Sequence, residues 1–302
     1  MPRSVGLYLL LVFVGGALVA PWLYEIVHGM AAHFAPLEFV ARQPFPRYVN
    51  RSFLIVGLLG LWPFLRANRM FSLEDLGLRP THGALRQLGK GWLLGFASLA
   101  LVAILALTIG PAKLDLHRGA FDLVRRILRA AFSAVAVGGV EEIVFRSAMF
   151  GCLRKRFYWP VALAASSVLY ATVHLLQRAP PPETVHWDSG LIVFGGMLPA
   201  FLDLQQVVPG LLSLTVAGVI LGLSYQITGR IYLAIGLHAA WIFWLQTSAT
   251  LTTRTPESSL WFWGTEKLID GWFTFLILLL LGGTARFWIG TRAAPTLHDR
   301  QA

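Results

Sequence analysis

Long apolar blocks separated by short polar segments make up most of this chain. A helix needs about 20 mainly apolar residues to cross about 30 Å of hydrocarbon. Residues 4–24 are free of charge, follow Arg3 and lack a small-x-small cleavage site, so they predict a first transmembrane helix instead of a removed leader. Residues 52–65 form a shorter block bounded by Arg51 and Arg66, whose long side chains can snorkel to the interfaces. Residues 91–112 give a third span. Arg125, Arg126 and Arg129 lead into a fourth apolar stretch, which carries Glu141, Glu142 and Arg146. Residues 157–176 give a fifth, containing His174. Pro180, Pro181 and Pro182 mark residues 177–189 as a loop outside the hydrocarbon. Residues 190–202 are apolar but too short to span, which predicts a re-entrant or interfacial helix. Residues 204–229, 231–253 (with His238) and 271–289 complete about eight spans.

The fold class expected is therefore all-α, a polytopic membrane helix bundle. It divides into residues 1–122 (helices one to three and their linkers), a core at 123–253 and a last helix and tail at 254–302. Composition agrees: 56% of the 302 residues are hydrophobic and 13% charged, against about a quarter charged in a soluble domain. The net charge of +10 comes from 25 Lys and Arg that sit mostly beside apolar stretches, where cations meet anionic headgroups. They form no single block of the kind that binds nucleic acid. The only cysteine, Cys152, excludes an internal disulfide.

Candidate chemistry lies in the polar residues inside apolar helices. Each charge at a helix centre costs about 2.5–3.5 kcal/mol to insert. Glu142 and Arg146 stand four residues apart with the acid first, the better order for a helical ion pair. Glu141 projects about 100° away around the helix and has no local partner. His174 and His238 lie on two further helices. Singly, each histidine is explained by an interhelical hydrogen bond; together with Glu141 they predict a shared polar site inside the bundle. A carboxylate in a water-poor cavity becomes a stronger base, an effect that nearby cations oppose. Such a base can activate water while histidines hold it and stabilise an oxyanion. The same three side chains, Glu141, His174 and His238, also suit Zn²⁺, although no His-Glu-x-x-His helix is present. The other histidines, at 28, 33, 82, 117, 186 and 298, read as solvated or interfacial.

Glu141-Glu142-Ile-Val-Phe-Arg146, Tyr170-Ala-Thr-Val-His174 and then His238, in that order, resemble the CPBP family of intramembrane proteases, which includes CAAX prenyl endopeptidases and bacterial bacteriocin-processing, Abi-type proteins. The resemblance spans residues 125 to 250. It implies that Glu141 activates water with help from His174, that His238 contributes to the oxyanion site, and that Glu142 and Arg146 are a supporting pair. It also implies a glutamate-dependent enzyme without a cofactor, with zinc as the alternative. Tyr170 stands where the family has Phe, and Ile242 where it has Asn or Asp, four residues after His238. The indole N–H of Trp241 is a candidate substitute donor. Expected partners are a membrane-embedded or lipidated peptide and the anionic bilayer; the expected location is a bacterial inner membrane. Two rival readings stand beside the protease. One is a catalytically weakened scaffold or regulator, favoured by Ile242. The other is a proton-coupled transporter, disfavoured by the lack of an internal repeat.

Overall fold

The computed structural model describes residues 2–115, 117–176, 179–254, 260–264 and 268–289, mostly helical. Contacts divide the chain into two compact units, residues 1–71 with 176–203, and residues 72–175 with 204–302.

In the first unit, α1 (Arg3–Ala31) and α2 (Phe45–Ala67) are both long and apolar enough to cross a membrane. The helix expected at residues 52–65 is thus longer than its apolar block. Pro46 in the first turn, where a missing N–H is harmless, lets it start before Arg47 and Arg51. The segment expected to be re-entrant or interfacial forms a short helix, α3 (Ser189–Gly196), followed by a 3₁₀ turn over Leu198–Leu202. Gly190 of α3 lies so close to Ala17 of α1 that a Cβ there would strike the Ala17 carbonyl. Close backbone approach through small residues is how helices pack where no water is expelled.

The second unit holds α4 (Ala84–Thr108), α5 (Ala120–Glu142, continuing as a π-helix over Ile143–Phe150), α6 (Trp159–His174), α7 (Leu204–Thr228), α8 (Tyr232–Leu251) and α9 (Trp272–Gly283). Only α4 and α7 of these meet the length and apolarity of a span among the described residues. Helices α5 and α8 carry the polar residues that matter here, and α6 is short. Helix α8 packs along α4 and against α5, while α6 packs on α7. Gly91 and Gly236 make the α4–α8 contact possible, since a Cβ on either would strike a backbone carbonyl of the other helix, at Leu233 and Leu88 respectively. Gly138 likewise brings α5 onto Ala239 of α8. A positive φ at Gly229 turns the chain from α7 into α8. Beyond the far ends of α4 and α8, strands β1 (Ala112–Leu114) and β2 (Thr252–Arg254) pair antiparallel, Lys113 opposite Thr253. The core beneath the site includes Leu99, Phe145, Leu214, Leu237 and Trp241.

Candidate active site

Three helices of the second unit, α5, α6 and α8, meet at the polar residues. Glu141 and Glu142 occupy the junction where α5 gives way to its π-helical continuation. Such widened turns are frequent at functional sites because they re-aim side chains within a continuous helix. Successive residues diverge in direction, so the two carboxylates face different neighbours.

Glu142 is fully buried, with Oε1 2.7 Å from His238 Nδ1. The same oxygen is 3.3 Å from Arg146 Nη1, a charge contact inside the helix. The Arg146 guanidinium also lies over the Tyr170 ring, 4.4 Å from its centroid. Glu141 turns toward the histidines instead: its Oε2 is 3.1 Å from His174 Nε2 and 3.6 Å from His238 Nε2. Tyr170, one turn before His174 on α6, places its hydroxyl 3.1 Å from His238 Nε2. The structure therefore gathers Glu141, Glu142, Arg146, Tyr170, His174 and His238 into one network. Trp241 does not join it, because its indole N–H donates to Ser98 Oγ on α4 (3.0 Å).

Exposure separates the network into two parts. The side chains of Glu141 and His174 are 26% and 28% exposed, whereas those of Glu142, Arg146 and His238 are 0%, 3% and 4% exposed. Glu141 and His174 form the partly exposed side of the network, and Glu142, Arg146 and His238 its buried side.

Partner chemistry assigns the protons. His174 Nδ1 is 2.8 Å from the Tyr170 carbonyl, an acceptor only, so Nδ1 carries hydrogen. One proton is then shared between His174 Nε2 and Glu141, on one atom or the other. His238 Nδ1 donates to Glu142, whose charge is met by Arg146, and Nε2 faces the Tyr170 hydroxyl.

Among the described residues, no group of three His, Cys, Asp or Glu side chains is disposed to hold a metal.

Two features of the site were missed in the sequence. Ser98 lies 143 residues before its partner in an apolar helix, with no local pattern to mark it. The contact of Glu142 with His238 was hidden by the nearer explanation of that carboxylate, its ion pair with Arg146. Of the other histidines, His28 donates from Nδ1 to the Tyr24 carbonyl and His186 bonds Thr184. His298 lies outside the described residues.

Residues 123–244 match the family model of the type II CAAX prenyl endopeptidase, Rce1-like. This segment is an Rce1-like domain. It runs from the start of α5 into α8 and so contains all six residues of the network. No curated protein and no solved structure matches the chain. With its apolar helices and a domain of a membrane protease family, the chain is an integral membrane protein. The Rce1-like domain leaves out α4, which supplies Ser98 and the groove that receives α8.

Proposed function

We propose that this protein is an intramembrane endopeptidase in which Glu141 activates water to hydrolyse a peptide bond of a membrane-associated or lipidated substrate. The observation that carries this reading is the partly exposed Glu141–His174 pair, 3.1 Å apart, at the edge of an otherwise buried polar network. Water bound beside the pair, whose shared proton then lies on His174 Nε2, loses a proton to the Glu141 carboxylate as its oxygen bonds to the carbonyl carbon. The carbonyl electron pair moves onto oxygen, giving a tetrahedral oxyanion. Collapse re-forms the carbonyl and breaks the C–N bond, and the proton on Glu141 passes to the leaving amine. His174, fixed by the Tyr170 carbonyl, orients the water; His238 lines the oxyanion side. No metal takes part in this sequence.

The same reading takes α5, α6, α8 and α9 as spans alongside the four long apolar helices, eight in all, in a bacterial inner membrane. Their packing on α4 and α7 supports it. A scaffold descended from an active enzyme is the second reading, favoured by Ile242, which offers no hydrogen bond.

Peptides released from membranes holding the wild-type chain are to be compared with those from Glu141→Gln at equal folded levels, with and without a zinc chelator. Loss of a general base lowers rates by about 10²- to 10⁴-fold, so products are expected only with Glu141 and in the presence of chelator. Identical peptide sets would favour the scaffold, and chelator-sensitive cleavage would overturn the metal-free mechanism.

A further inference from the structure

The widened turn that follows the two carboxylates is fastened from outside its own helix. Ser147, fully buried within it, donates from Oγ to the Leu76 carbonyl at 2.6 Å, a partner 71 positions away. A helical serine ordinarily bonds back to a carbonyl about three or four residues earlier, as Ser98, Ser166 and Ser224 do in this chain. The segment that receives Ser147 is a tight turn ahead of α4. It is closed by its own bonds, from Gly77 N to the Glu74 carbonyl (3.0 Å) and from Leu78 N to the Leu73 carbonyl (2.7 Å). Gly77 has a φ of 68°, and a Cβ there would strike the Tyr225 ring of α7. The next carbonyls are taken by the start of α8. Gly77 accepts from Ile231 N at 3.2 Å, and Leu78 from the Tyr232 hydroxyl at 3.0 Å.

We propose that residues 73–79 are a strap that holds the π-helical turn of α5 in register with α8, and that Ser147 and Gly77 are positioning residues for the site. The consecutive carbonyls of Leu76, Gly77 and Leu78 hold two helices at once. The first holds α5 just past Glu142 and Arg146; the other two hold the first residues of α8, two turns before His238. Each residue of an α-helix turns the chain by about 100°. A π-helical turn that relaxed to α-helix would therefore rotate Glu141 and Glu142 relative to the buried residues that follow them. Ser147 keeps its bond to Leu76 only in the present register, so the strap opposes that rotation and preserves the 2.7 Å contact of Glu142 with His238. The strap lies outside residues 123–244, so the Rce1-like segment does not contain what fastens its own polar turn. Its effect on cleavage rests on the endopeptidase reading above; its effect on the Glu142–His238 contact does not.

The test uses the full chain in lipid nanodiscs, comparing wild type, Ser147→Ala, Gly77→Ala and the double variant. Ser166→Ala, which loses a buried helical hydroxyl away from the strap, is the control. Two readouts are taken: kcat and KM on a fluorogenic farnesylated CAAX peptide, and the ring-nitrogen NMR signals of isotope-labelled histidine. The His238 signal is assigned from its loss in His238→Gln. Misplacing reacting groups by about 1 Å costs about 100-fold in rate. Ser147→Ala is expected to lower the kcat of folded protein by about tenfold or more, with KM little changed, and to move the His238 signal. Gly77→Ala is expected to do the same. Because both act through one strap, the double variant is expected to fall short of the product of the two losses. Ser166→Ala is expected to match wild type in both readouts. Ser147→Ala removes one oxygen and leaves the backbone unaltered, so it decides alone if Gly77→Ala does not fold. Wild-type kcat or an unmoved His238 signal in folded Ser147→Ala, even with a lowered Tm, would overturn the strap as a positioning device, as would losses that multiply in the double variant. If the wild-type chain leaves the peptide intact while its Tm shows it folded, the endopeptidase reading falls and the His238 signal decides: movement in Ser147→Ala supports the strap, and an unmoved signal overturns it.

Discussion

Arg146 is the residue whose position in the network has the clearest consequence for stability. Its guanidinium faces Glu142 in a site where both side chains are almost wholly buried. Breaking a buried ion pair on one side leaves the other charge without compensation and costs about 3–5 kcal/mol. Arg146→Met is accordingly expected to lower the unfolding midpoint markedly in detergent. Combining it with Glu142→Gln is expected to recover part of the loss, because the stranded charge is then gone. If the single and double variants unfold together, the pair is not what stabilises this corner. The ion pair itself is readable from a four-residue spacing along one helix. That Glu142 also anchors His238 is not, since the two residues are 96 positions apart and belong to helices that meet only through packing.

At the scale of elements, the site depends on how closely three helices approach one another. His238 reaches Glu142 and Tyr170 because α8 is held against α4 and α5 through Gly91, Gly236 and Gly138. Inserting a side chain into a tight contact costs about 1–3 kcal/mol, sometimes more, and pushes backbones apart. Gly138→Val is expected to move α5 from Ala239 and lengthen the His238–Glu142 contact, lowering cleavage more than stability. Parallel measurement of kcat and of the unfolding midpoint checks this; unaltered cleavage would show that the site tolerates the displacement. The apolar blocks announced α1, α4 and α7 in the sequence. Helix α2 was drawn too short because its first turns carry arginines, which end an apolar block without ending a helix.

For the whole molecule, the Rce1-like domain does not coincide with either compact unit. Residues 123–244 include α5, α6, α7 and part of α8 but not α4, although α8 lies along α4 and Trp241 bonds to it. Expressed alone, that segment is expected to be degraded or to aggregate, whereas residues 72–289 are expected to yield folded protein with a cooperative thermal transition. A stable, monodisperse 123–244 fragment would show that α4 is dispensable. The eight-span reading belongs to this scale too. Labelling of single cysteines placed in the two tails and the seven loops of a Cys152→Ser chain, from either side of sealed vesicles, is expected to change sides eight times.

Some properties of this protein are set by composition and local spacing. Uncharged runs of about 20 residues cannot remain in water as helices without a lipid or protein cover, so a helical membrane protein follows from the chain alone. Charges that hydrocarbon penalises mark Glu141, Glu142, Arg146, His174 and His238 as residues needing an explanation. What only the tertiary structure decides is which of them meet. Hydrogen bonds are directional and end within about 3.5 Å, so a turn of one helix by a single residue would exchange the roles of the two glutamates. Glu141 faces the open side with His174, Glu142 the buried side with His238, and the Tyr170 hydroxyl the space between. Trp241, equally eligible by its spacing from His238, points to Ser98 because α4 packs on that face of α8.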